Sequence, residues 1–133
     1  MLTVLDTHAL IWLDQAAPHL GPQSRHRADT ALKGGLLAVS ALSFWEATML
    51  AAKRRMTMAL PPSVWRRDLL GLGLMEIPVD GEMGIMAAQL DLHGDPADRI
   101  IVATALLKSA VLITADAVLL DWTNPLERFD ARL

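Results

Sequence analysis

The chain has 133 residues, of which 53% are hydrophobic and 20% charged, with a formal net charge of −3. That is enough chain for one ordinary domain, expected over residues 1–133, and the composition excludes a disordered tail or a charge-rich linker. With no cysteine, a disulfide scaffold, a zinc ribbon and a thiol nucleophile are excluded as well.

The apolar run Leu2-Thr3-Val4-Leu5 reads as a buried strand ended by Asp6-Thr7, with a helix over His8 to Asp14. Gly21-Pro22 punctuates the chain, and Gln23 to Lys33 is a polar, partly amphipathic helix stopped by Gly34-Gly35. Leu36 to Val39 is a second buried strand. Ser40 caps a helix from Ala41 to about Arg55, whose last turn carries Lys53, Arg54 and Arg55, where the helix dipole favours cations. Pro61-Pro62 opens a helix to about Leu70, and Leu74 to Val79 is a third strand with Pro78 near its end. Gly81 to Leu92 is helical. Asp95 as N-cap and Pro96 at the first helical position start a helix through about Lys108. Val111 to Thr114 is the fourth strand, a short helix follows Asp116, and Glu127 to Phe129 is a fifth strand. Strands that alternate with helices and are apolar on both faces predict an α/β fold, a parallel sheet of four to five strands covered on both sides.

The first residues, Met1 to Asp14, lack a basic leader, and Ile100 to Ala115 is interrupted by Lys108 and shorter than a membrane span. A soluble, cytoplasmic protein without membrane contact is the expectation. The negative net charge argues at first sight against a nucleic-acid partner. If four acids gather around bound cations, however, the rest of the molecule is slightly basic, so RNA or DNA stays open.

Open α/β sheets bind ligands beyond the carboxyl ends of their strands. Asp6 follows the first strand and Asp116 lies just past Thr114 at the end of the fourth, so in a 3-2-1-4-5 order both enter one crevice. Each alone also reads as a turn or cap aspartate. Glu46 has Leu42, Ser43, Met49 and Leu50 as its helical neighbours, which places it in an apolar stripe without a cationic partner on its own helix. Buried there, it needs a cation or a proton. Asp95 and Asp98 open a helix, where the dipole favours acids. Together the acids form a self-repelling cluster unless divalent cations occupy it, and hard oxygen donors point to Mg²⁺ or Mn²⁺.

Four segments, Asp6-Thr7-His8-Ala9-Leu10-Ile11-Trp12, Ser40-Ala41-Leu42-Ser43-Phe44-Trp45-Glu46, His93-Gly94-Asp95-Pro96-Ala97-Asp98-Arg99 and Leu112-Ile113-Thr114-Ala115-Asp116, resemble in order and spacing the motifs of the PIN-domain family of metal-dependent ribonucleases, and within it the VapC-like toxins. The departure is Ala97, where relatives often carry an aromatic, with no catalytic consequence expected. The resemblance implies a three-layer α/β/α domain in which Asp6, Glu46, Asp98 and Asp116 hold one or two Mg²⁺ or Mn²⁺ ions. These activate a water for in-line attack on an RNA phosphodiester. Asp95 is an auxiliary acid, and Thr7, Ser40 and Thr114 are candidates for hydrogen bonds to the carboxylates, Ser40 being read first as a cap. Glu46 and Asp98 are the candidate proton acceptors. Arg99 is read as contacting substrate phosphate or pairing with an acid on the surface. His8 and His93 stay outside the catalytic set. Lys53, Arg54, Arg55, Arg66 and Arg67 are candidates for an RNA-facing surface or simply for solvated helix ends. Trp12, Trp65, Met56 and Met58 lie in segments of mixed character. The resemblance further implies a protein antitoxin and a homodimer as partners.

Other readings fit less of the chain. An aspartate-nucleophile phosphatase needs a second acid two residues after Asp6, where His8 stands. A receiver domain could use Asp80 after the third strand but lacks the paired acids and the lysine. A non-catalytic α/β partner-binding module with a divalent-metal pocket remains the alternative.

Overall fold

Every short apolar run forms a strand of one sheet in the computed structural model, which describes residues 1–92 and 94–133. In chain order the elements are β1 (Thr3–Leu5), α1 (Thr7–Asp14), α2 (Pro22–Lys33), β2 (Leu37–Ser40), α3 (Ala41–Ala52), α4 (Pro62–Gly71), β3 (Met75–Ile77), α5 (Gly81–Gln89), α6 (Pro96–Leu107), β4 (Val111–Thr114), α7 (Ala117–Asp121) and β5 (Arg128–Asp130). The strands are ordered β3-β2-β1-β4-β5 and every neighbouring pair is parallel, the expected 3-2-1-4-5 arrangement. Thr3 stands opposite Leu37 on one side and Val111 on the other, so β1 is the centre from which the chain winds both ways.

Because successive strand residues face opposite sides, the sheet divides the core into two layers. Leu5, Leu37, Val39 and Ile113 pack with residues of α1 to α4, whereas Val4, Ala38, Ile77 and Leu112 pack with α5, α6 and α7. Both faces are therefore covered over β1, β2 and β4, which read as mostly apolar runs, whereas the edge strands carry Glu76 in β3 and Arg128 and Asp130 in β5. No helix among the described residues is long and apolar enough to cross a membrane.

Several boundaries differ from the sequence reading for local reasons. Helix α3 stops at Ala52, short of Arg55, because Arg54 takes a positive φ of 58° and the Arg55 N–H turns back to the Leu50 carbonyl. Lys53, Arg54 and Arg55 thus follow the helix instead of occupying its last turn. Helix α5 ends at Gln89, since Leu90 is extended. Strand β3 covers only Met75–Ile77, so Pro78 lies outside it. Trp65 is not on a mixed surface: it is 6% exposed, edge-on to Phe44, with its indole N–H donating to Asp14 Oδ2 at 2.9 Å.

The chain end packs against the start of α2. Gly21 donates to the Ala131 carbonyl at 2.9 Å, and a Cβ on Gly21 would stand 2.1 Å from the Leu133 carbonyl carbon and 2.4 Å from the Arg132 oxygen. These are backbone atoms that cannot rotate aside. Gly21→Ala is therefore expected to destabilise the fold by about 1–3 kcal/mol, as overpacking does, read as a lower urea midpoint with an unchanged slope.

Candidate metal centre

The carboxyl edge of the sheet carries the acids because three strand ends and one helix start meet there. Asp6 is the residue between β1 and α1, and Asp116 follows β4 and opens α7. Glu46 stands one and a half turns into α3, which leaves β2 directly, and Asp95 and Asp98 begin α6. All five line a single cavity of about 320 Å³, with His8, Trp12 and Ala115 completing it. The structure so brings together the four acids singled out as a quartet and adds Asp95 to them.

Neutral hydroxyls hold these carboxylates in place. Thr114 Oγ1 donates to Asp6 Oδ2 at 2.7 Å and accepts from the Asp116 N–H at 3.1 Å, while the Thr7 N–H donates to Asp6 Oδ1 at 2.8 Å. Thr7 Oγ1 lies 2.6 Å from Glu46 Oε1 and 2.9 Å from Ser43 Oγ. A hydroxyl has one proton, which goes to the charged acceptor, so Thr7 donates to Glu46 and accepts from Ser43. Asp6, Asp95 and Asp116 also cap helices, through Thr7 N, through Ala97 N and Asp98 N, and through Val118 N respectively. Glu46 and Asp98 cap nothing.

The two ion pairs among the described residues, Arg66 with Glu76 and Arg132 with Asp130, both lie elsewhere. The acids therefore repel one another without a protein cation between them. Burial raises the Asp6 pKa despite the hydrogen bond from Thr114, and burial likewise raises Glu46. Asp98 is pushed up to about 7, first by burial and then by the charges of Asp6, Asp95, Glu46 and Asp116. A raised carboxyl pKa means that the folded state binds more protons than the unfolded state between the two pKa values, so stability falls as pH rises through that window. For Asp98 the window runs from its ordinary 3.8 to about 7. The metal-free protein is expected to lose melting temperature across it, and Asp98→Asn to flatten that loss, when thermal unfolding is followed at a series of pH values.

Glu46, Asp95 and Asp98 each place a carboxylate oxygen within 4.8 Å of the other two. Oxygen-only donors at this spacing suit a hard divalent cation, and the unbalanced charge of the cavity is what such an ion would neutralise. This tightest group draws two of its members from the expected quartet and takes Asp95 as the third, while Asp6 and Asp116 line the wall beside them.

Other expected roles change. Among the described residues Arg99 pairs with no acid. Its guanidinium donates to the carbonyls of Leu92, Leu90 and Ala87, fastening the end of α5 to the start of α6. Ser40 is fully buried and caps α3 through Leu42 N at 3.2 Å, so it is a cap and touches no carboxylate. Glu46 is half-buried at the margin of α3, where the buried residues are Ser43 and Ala47, instead of sitting inside an apolar stripe. Arg66 is occupied by Glu76. Lys53 and Arg55 line a small cavity that reaches Glu46 and Asp95. His93 of the third motif lies outside the described residues. Ser43 was not singled out from sequence, although its place three residues before Glu46, one turn back on the same face, is the signal that could have found it.

Comparison with known proteins identifies the family and the fold. Residues 3–122 match the PIN domain family. Ribonuclease VapC22 of Mycobacterium tuberculosis is 30% identical over 128 residues, covering 94% of this chain and 95% of that protein. Among solved structures, VapBC2 from Rickettsia felis bound to a DNA fragment from its promoter superposes with a TM-score of 0.70 at 17% identity, over 98% of this chain and all of that one. A toxin–antitoxin complex from Klebsiella pneumoniae gives 0.65 at 21% identity over 97% of each chain. At these identities the structures establish a shared fold.

Proposed function

The chain belongs to the PIN-domain family, and from that premise we propose that it is a divalent-metal-dependent endoribonuclease acting as the toxin of a toxin–antitoxin pair. The observation that carries this reading is the cavity of five carboxylates at the switch point of a parallel sheet, with no protein cation paired to them among the described residues. Such a cavity costs stability, so its use lies in what it binds.

Asp6, Glu46, Asp98 and Asp116 hold the ion in this reading, with Asp95 beside them. Their all-oxygen chemistry favours Mg²⁺ or Mn²⁺. When bound, the ion supplies Lewis-acid charge to the phosphodiester and acidifies a water. Thr114 and Thr7 keep Asp6 and Glu46 oriented toward the cavity without quenching their charge. Glu46 and Asp98, whose carboxylates cap no helix, are the groups left to take the proton of the attacking water. A protein antitoxin and a second copy of the chain are the proposed partners, residues 1–133 one domain, and the cytoplasm the compartment.

The test is cleavage of labelled structured and single-stranded RNAs in Mg²⁺, Mn²⁺ or EDTA. Cutting that needs metal and disappears in Asp6→Asn at matched folding supports the reading. No cutting of any RNA, together with Mn²⁺ affinity unchanged in Asp6→Asn, would move the assignment to a partner-binding module.

A further inference from the structure

A cavity whose walls are carboxylates repels a polyanion, so an RNA-cutting site of this kind must obtain its substrate affinity from its surroundings. The surroundings contain an aromatic platform. The acidic cavity shares His8 and Trp12 with a second cavity of about 400 Å³, which His19 and Arg55 also line. His19 stacks on Trp12 with ring centroids 5.3 Å apart and 24° between planes, and His8 meets Trp12 edge-on at 6.2 Å. Both histidines are exposed and Trp12 is half-buried, so ring surface remains open to solvent. Arg55 lines this cavity and, together with Lys53, the small cavity that reaches Glu46 and Asp95. Neither cation forms a salt bridge among the described residues.

We propose that the second cavity receives an unstacked base of single-stranded RNA beside the scissile phosphodiester, stacked on the Trp12–His19 pair, with Arg55 and Lys53 drawing the adjoining phosphates past the acids. The proposal rests on the nuclease reading above and assigns to Trp12 and His19 the base, and to Arg55 and Lys53 the phosphates, next to the cut. Every base has a π-face, so stacking of this kind selects single strands and loops over duplex with little regard to sequence. Charge is arranged to match: carboxylates where an ion neutralises them, cations where phosphates pass.

The experiment measures binding of a fluorescein-labelled single-stranded RNA by anisotropy in Mg²⁺, with Asp98→Asn as the background so that the RNA stays whole. Adding Trp12→Ala or His19→Ala is expected to weaken binding by about tenfold or more, the usual effect of losing a stacked base, while Trp12→Phe retains most of it. Because Trp12 also touches the core, the exposed His19 supplies the variant in which folding is not at stake. The same RNA is then assayed with each nucleotide in turn replaced by an abasic residue. One position should weaken binding to the background protein and have no effect once Trp12 is alanine. Equal losses in both proteins, or unchanged affinity in His19→Ala and Trp12→Ala, would overturn the proposal and leave the cavity to a protein side chain. Cleavage by the unmodified protein separates the two levels: cutting that is indifferent to Trp12 and His19 breaks the stacking proposal alone, and absence of both cutting and RNA binding breaks the reading beneath it.

Discussion

Asp98→Asn is expected to reduce metal-dependent RNA cleavage by about a hundredfold or more while raising the melting temperature of the metal-free protein. The two effects have one cause. Asp98 sits at the first turn of α6 with four other carboxylates lining its cavity, and its pKa is pushed up to about 7 by burial and by those neighbours. Replacing the charge with an amide of equal size removes repulsion among the carboxylates and, on the reading proposed above, one donor to the ion. Charge stabilisation by a well-held ion is worth several kcal/mol in the transition state, and each 1.36 kcal/mol is tenfold in rate. The paired readout is discriminating, because a variant that lost activity through misfolding would lose melting temperature too. Adding Mn²⁺ should raise the melting temperature of the parent protein and do so much less for Asp98→Asn.

Leu112→Ala should destabilise the fold by about 2–5 kcal/mol, the range for truncating a buried leucine. Leu112 is fully buried in β4, opposite Val4 of β1 on one side and Arg128 of β5 on the other. It belongs to the core layer built with Ile101, Val102 and Leu119, between the sheet and the helices α6 and α7. Neighbours held by two parallel ladders collapse little into a void, which favours the upper part of the range. Against a total of about 5–15 kcal/mol for an ordinary domain, this is the most severe of the stability losses expected here. Urea unfolding with an unchanged slope would show that the effect is a cavity in the native state.

The sheet and its acids were legible for a physical reason: a parallel strand buried on both faces must be apolar throughout, so the polar residue that ends it stands out. Asp6 after Leu5 and Asp116 after Thr114 are such residues, and the order 3-2-1-4-5 brings their strands side by side as expected. What sequence did not disclose depends on which way side chains turn. Arg99 follows an acid of the cavity yet reaches back to three carbonyls around the end of α5, a contact between segments that no helical periodicity encodes. Asp95 carries the signature of a cap and is one, and only the approach of α3 to α6 makes it also a neighbour of Glu46. The stop of α3 at Ala52 depends on the left-handed Arg54, a conformation for which arginine gives no warning.

The hydroxyls of Thr7 and Thr114 orient two carboxylates while adding no charge, and that choice keeps the cavity anionic. Both threonines are buried, 1% and 0% exposed, where a hydroxyl fits and a longer cationic side chain would overpack the core. Threonine supplies hydrogen bonds alone, so the negative charge of the two carboxylates is undiminished. On the reading proposed above, neutralisation then comes from a bound cation.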